Sequence, residues 1–241
     1  MNQREERNHA MTTPPQVLIL GIGNVLWADE GFGVRCVEEI HRQYRFPDHV
    51  TLMDGGTQGI YLVQHVQAAD VLIVFDAIDY GLEGGQMRLI HDDDVPSFMG
   101  AKKMSLHQTG FQEVLATAEL LGDAPEKLLL IGVQPVELED FGGSLRPAVK
   151  AKIQPAIDAA IDYLAALGIA AQRRETPLPP EETLSPAQLS LAAYEAGRPP
   201  PEAACRVGDE RVLASEKIRF DPKPSPIDDP LSVDVDHRGK Y

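Results

Sequence analysis

The sequence predicts an α/β protein: a three-layer α/β/α sandwich with five strands between helices, followed by a Pro-rich tail. Three observations carry this reading. Strand-like apolar runs alternate with helix-spaced apolar residues from about residue 16 to residue 172. Two of the runs, Val17-Leu18-Ile19-Leu20 and Leu128-Leu129-Leu130-Ile131-Gly132-Val133, carry no polar side chain, as strands covered on both faces do. The length of 241 residues suffices for one large domain with a tail.

The elements follow in order. Val17 to Leu20 form the first strand, ended by Gly21 and Gly23. Val34, Val37, Ile40 and Tyr44 recur at helical spacing. Val50-Thr51-Leu52-Met53-Asp54 reads as the second strand, stopped by Gly55-Gly56-Thr57. Tyr61, Leu62 and Val66 mark a short helix, Val71-Leu72-Ile73-Val74-Phe75 the third strand, and residues 86–91 the fourth. Phe111, Val114, Leu115, Ala118 and Leu121 make an amphipathic helix before the fifth strand at 128–133. Val149, Ile153, Ile157, Ile161 and Leu164 mark the closing helix.

Three regions result: a flexible leader at 1–15, a domain at 16–172 and a tail at 173–241. Eleven of the nineteen prolines fall in the tail. A segment so composed cannot bury enough apolar area to offset its ordering entropy, so most of it is expected to be disordered. Residues 184–196 form the one helical candidate there, with Ser185 as its cap and Pro186 at the first helical position.

Formal net charge is −15, which argues against a nucleic-acid binder, since that role needs Lys and Arg to neutralise phosphates. Cys36 and Cys205, far apart, do not suggest a disulfide framework and fit a reducing, cytoplasmic setting. No apolar stretch reaches the ~20 residues of a membrane span. The charged start Met1-Asn2-Gln3-Arg4-Glu5-Glu6-Arg7 is not a secretory signal.

Three metal-capable side chains fall where an open α/β sheet binds ligands, outside the carboxyl ends of its strands. Glu30 lies in the turn after the first strand, Asp76 follows the third, and His107 precedes the long helix. Each has an ordinary reading. Asp29 or Glu30 before a helix caps it, Asp76 at a strand end makes a turn, and His107 starts a helix. Their coincidence on one edge points to a divalent-metal site with open positions, and the donor set leaves nickel, zinc and manganese open. Asp54-Gly55-Gly56-Thr57 is a second candidate, because adjacent glycines at a strand end let a ligand approach closely. Trp27, the one tryptophan, reads equally as core or as a partner anchor. The turn at Gly21-x-Gly23 also invites a dinucleotide reading. However, Leu26 occupies the third glycine position of that fingerprint.

With these residues the sequence resembles the maturation endopeptidases of [NiFe]-hydrogenases, especially those serving uptake-type enzymes. The matching elements are Gly21-Ile22-Gly23-Asn24-Val25-Leu26 with Asp29-Glu30-Gly31-x-Gly33-Val34, then Asp54-Gly55-Gly56-Thr57, Asp76-Ala77 and Ser105-x-His107-Gln108. They span residues 16–168. The resemblance implies a twisted five-stranded sheet, metal contacts at Glu30, Asp76 and His107, and catalytic carboxylates at Asp76 and Glu30. It implies that the Asp54-to-Thr57 loop contacts substrate. The implied substrate is the large-subunit precursor, which loses a C-terminal extension after nickel insertion. The family is grouped with aspartic-type endopeptidases, and the nickel is read as the precursor's, not a permanent cofactor. A monomer is the implied state. The alternative expectation is a chaperone that binds the nickel-loaded subunit without cutting it.

Overall fold

Strand β1 (Val17–Ile22) lies inside the sheet, fully buried. It pairs in parallel with β3 (Val50–Gly56) on one side and β4 (Val71–Ala77) on the other. Beyond β4, β6 (Lys127–Val133) is parallel, and β5 (Met87–His91) closes the sheet as an antiparallel edge. The order is β3-β1-β4-β6-β5. This computed structural model describes residues 14–92, 94, 95 and 106–198, without the side chains of 106–110. The predicted leader, but for Pro14 and Pro15, lies outside the described residues, as does the tail from Pro199 on, including Cys205.

Alternate residues of each central strand feed two separate cores. Val17, Ile19, Ile73, Phe75, Leu129 and Ile131 face one; Leu18, Leu20, Leu72, Val74, Leu128 and Leu130 face the other. Helices α1 (Phe32–Gln43), α4 (Pro147–Lys150) and α5 (Ile153–Ala166) cover the first core through Phe32, Val37, Ile40, Val149, Ile157 and Leu164. Helices α2 (Val63–Ala68) and α3 (Leu106–Leu120) cover the second through Val66, Phe111, Val114 and Ala118. Each large apolar side chain so buried contributes about 1.5–3 kcal/mol. A six-residue helix such as α2 is not stable alone, so packing, not propensity, holds it. The predicted three-layer sandwich is thus the observed architecture.

The segment after Gln172 departs from the expected unpacked tail as far as Arg198. Gln172–Arg173 (β7) pairs antiparallel with Tyr44–Arg45 (β2), directly after α1. The chain then returns along α1 through 3-10 turns to helix α6 (Leu191–Gly197). The helix expected at 184–196 is shorter than predicted. Pro186 is extended (ψ 139°) and precedes a separate 3-10 turn at Ala187–Leu189. Ser190, not Ser185, caps α6, accepting from the Ala193 N–H at 3.4 Å. Pro content alone misled here because polar anchors far back in the chain hold this segment.

Candidate active site

The strand register brings three chain ends level. Gly21 on β1 pairs with Asp54 on β3 and with Phe75 on β4. Asp76 is the next residue of β4 and pairs with Gly132 of β6. From β1 the chain crosses through α1 to β3, then returns through α2 to β4 on the opposite flank of β1. The reversal makes the ends of β1 and β4 a topological switch point, where an open α/β sheet has its crevice. Glu30 lies on the turn after β1 and Asp76 is the penultimate residue of β4, so both predicted carboxylates belong to segments at that edge.

Glycines set how closely the first loop returns. A Cβ on Gly33 would lie 2.1 Å from the Phe75 carbonyl oxygen and 2.3 Å from that of Ile22. A Cβ on Gly21 would lie 2.4 Å from the Gly33 carbonyl oxygen. These glycines therefore let the start of α1 press onto the strand ends. That use, helix-on-strand packing, replaces the nucleotide approach considered from sequence.

The Asp-Glu pair divides its labour. Asp29 is fully buried and caps nothing in α1. Its Oδ2 accepts the N–H groups of Val136 (2.8 Å) and Glu137 (2.9 Å), and its Oδ1 accepts that of Arg146 (2.6 Å). Asp29 thus bolts the β1 loop to the loop after β6. Glu30 beside it is half-buried, on the 3-10 turn Ala28–Gly31 that packs against β4. Ala28 enters that turn at φ 40°, a left-handed conformation uncommon for a side-chain-bearing residue. Trp27 lies edge-on to Phe141, with ring centroids 5.2 Å apart, and Phe141 is exposed. Trp27 is therefore half-buried between loops, not in either core.

Asp76 is fully buried. Gly132 pairs with Asp76 on one side and with Arg88 of β5 on the other, and Tyr80 uses the space a side chain would fill. A Cβ on Gly132 would stand 1.7 Å from the Tyr80 hydroxyl. Burial pushes the Tyr80 phenol well above its ordinary range, and the Asp76 charge adds to this while Arg88 opposes it. Gln134 fixes the loop carrying Tyr80. Its Oε1 accepts from the N–H groups of Tyr80 (2.7 Å) and Leu82 (3.1 Å), and its Nε2 donates to Asp79 (3.0 Å).

Asp54 lies half-buried two residues before the end of β3, and its Oδ1 accepts the Gly56 N–H at 2.9 Å. Gly56 takes φ 46°, so the turn needs a glycine there. Burial pushes the Asp54 carboxyl up and the nearby Glu38 charge adds to this; the Gly56 N–H, Ser185 and Arg35 pull it down. Thr57 is exposed. His107 lies in the first turn of α3, and its side chain lies outside those described. Among the described residues no group of three or more His, Cys, Asp and Glu could hold a metal ion, a set from which His107 is missing.

Sequence reasoning missed Asp29, Gln134, Arg35 and Arg146 as builders of the site. Their partners are mostly backbone groups or residues distant in sequence, so no local spacing marks them. Cys36 is a free thiol buried in the α1 core, and burial pushes its pKa well up. No described helix is long and apolar enough to cross a membrane.

Residues 34–163 match the hydrogenase maturation protease family. The chain belongs to that family. Hydrogenase expression/formation protein HupD of Thiocapsa roseopersicina is 62% identical over 209 residues, covering 87% of this chain and 95% of the relative. The hydrogenase 2 maturation protease of Escherichia coli is 40% identical over 161 residues, 66% of this chain and 97% of its own. The solved hydrogenase maturating endopeptidase HybD from E. coli superposes with a TM-score of 0.63 at 39% identity, covering 66% of this chain and 98% of HybD. An alignment of 209 residues cannot fit before Gln172, so the match to HupD runs into the segment after it. Hydrogenase maturation proteases cut peptide bonds, and this chain is an endopeptidase of that family.

Proposed function

We propose that this hydrogenase maturation protease removes the C-terminal extension of a [NiFe]-hydrogenase large-subunit precursor after nickel has been inserted. What supports the reading is the strand register: β1, which leads into the Glu30 turn, pairs with β4, which carries Asp76, and Gly21 of β1 is level with Asp54 of β3. Carboxylate oxygens, joined by the imidazole of His107, suit a borderline divalent ion such as nickel. Glu30, Asp76 and His107 would complete the coordination of the precursor's own nickel, so no resident cofactor is required. Held there, the metal ion polarises a carbonyl or lowers the pKa of bound water.

The chain's own residues do the remaining work. Asp76, fully buried and fixed in β4, orients the reacting groups. Glu30, half-buried and reachable from solvent, takes the proton of the attacking water as an aspartic-type general base. The Asp54-Gly55-Gly56-Thr57 loop binds the extended substrate chain alongside. Exposed Leu26, Val136 and Phe141 and, after the Asp54 loop, Ile60 and Tyr61 give this edge an apolar rim suited to a polypeptide. We take the protein to act as a cytoplasmic monomer.

The test is the intact mass of a nickel-loaded large-subunit precursor before and after incubation, with nickel-free precursor alongside. The expected result is loss of a C-terminal peptide from the nickel-loaded form alone. Equal cutting of both forms would remove nickel recognition from the proposal. A stable complex with no mass change would make the protein a chaperone.

A further inference from the structure

Residues 174–198 run from β7 back along α1 to the loops of the candidate site, and a series of polar and aromatic ties anchors them. Ser185 Oγ lies 3.4 Å from Asp54 Oδ2. The Leu189 carbonyl accepts a hydrogen bond from Arg35, which is buried and also binds Glu38 at 2.8 Å. The Arg35 guanidinium lies 5.7 Å from the centre of the Tyr194 ring. Glu195 accepts from Lys150 Nζ (2.7 Å) and Ser144 Oγ (2.9 Å), and Arg198 pairs with Asp140 at 2.9 Å. No residue of the two 3-10 turns or of α6 is buried. A cavity of about 660 Å³ lies between the segment and α1, lined by Arg35, Glu38, Arg42, Lys150, Thr183 and Glu195; neither Glu30 nor Asp76 lines it. The segment therefore lies on the surface, anchored by separable polar contacts.

Two of those contacts converge on one place. Ser185 touches Asp54 directly, and Leu189 fixes Arg35, whose partner Glu38 bears electrostatically on Asp54. We propose that residues 174–198 are a strap that positions the Asp54-Gly55-Gly56-Thr57 loop and thereby sets how tightly this protease holds its polypeptide substrate. The proposal rests on the endopeptidase reading above. It assigns Ser185, Leu189 and Glu195 a positioning role, with no contact to reacting atoms. The alignment with HupD extends past Gln172, whereas the E. coli hydrogenase 2 maturation protease is spent within 161 aligned residues.

The test uses the full chain carrying Ser185→Ala with Glu195→Gln, both on the strap and outside the cores. Nickel-loaded precursor is the substrate, and amide hydrogen exchange is read on the same protein. KM is expected to rise about three- to tenfold, the factor carried by a hydrogen bond of ordinary net strength. The kcat should stay unchanged, since the interaction serves binding and not the chemical step. Exchange should speed up at residues 54–57 while β1 and β4 stay protected. Restoring a hydroxyl with Ser185→Thr should recover much of the KM. Wild-type KM and wild-type exchange at 54–57 would overturn the proposal, as would faster exchange throughout the fold. If the unmodified protein fails to cut any precursor, the endopeptidase reading falls, and local exchange at 54–57 still decides whether the strap positions the loop.

Discussion

Gly33 presses its Cα against the Phe75 carbonyl: a Cβ at Gly33 would lie 2.1 Å from that oxygen. Phe75 precedes Asp76, and Gly33 follows Glu30 by one helical turn's start. This backbone contact fixes the separation of the two carboxylate-bearing segments. Gly33→Ala is expected to force α1 away from the strands and cost roughly 1–3 kcal/mol, the usual range for overpacking. Processing should fall further than stability, because a displacement of about 1 Å at a catalytic group costs up to ~100-fold in rate. Denaturant titration and precursor cleavage, measured on the same variant, check both halves.

Asp29 and Glu30 should separate cleanly by substitution. Asp29→Ala removes the acceptor of three backbone N–H groups and is expected to destabilise the fold by roughly 2–4 kcal/mol. Glu30→Gln should abolish cleavage while costing less stability than Asp29→Ala. A Glu30→Gln protein that cuts normally would remove Glu30 from the catalytic pair.

Asp54 carries a cost at neutral pH. Burial raises its carboxyl pKa, so the folded protein disfavours the ionised form. That cost appears as pH rises through the unfolded and then the folded pKa, and it persists at pH 7. Asp54→Asn keeps an oxygen for the Gly56 N–H and removes the charge. Its melting temperature should therefore rise at pH 7, on the order of 1–2 °C. No gain should remain in acid, where Asp54 is already protonated. Substrate KM should worsen in the same variant.

Asp140 has the opposite sign. Hydrogen bonds from Arg146 and Arg198 hold its carboxyl below the ordinary range. Its contribution is complete above the unfolded carboxylate pKa and is lost as pH falls through the lowered folded value. Amide exchange at residues 140–146 should accelerate across that acid window. In Asp140→Asn the acid step should vanish, and the loop should already exchange faster at pH 7.

The fold was legible because the strands buried on both faces, β1, β4 and β6, show as unbroken apolar runs. Asp76 and Asp54 were legible as residues near the carboxyl ends of strands and Glu30 as a residue of the loop after one, since topology alone levels parallel strand ends. Which of Asp29 and Glu30 is structural was not legible. The partners that settle it, Val136, Glu137 and Arg146, lie more than a hundred residues away and act through backbone N–H groups. The strap was misread for a related reason. Its prolines and exposed side chains are those of an unpacked chain, and its anchors, such as Arg35 and Asp54, belong to elements that already had roles.

The strap also bears on the order in which the protein is made. Its ties close very long loops: 131 residues separate Ser185 from Asp54, and 154 separate Leu189 from Arg35. Contacts of such sequence separation form late, because the loop entropy must be met before they contribute. A chain emerging from the ribosome folds N-terminal parts first, so sheet and helices can assemble before residue 198 is available. The ties between the strap and the Asp54 loop are therefore among the later contacts of the fold to form. Nascent chains stalled short of the strap should accordingly be folded in the body yet carry an unsteadied Asp54 loop.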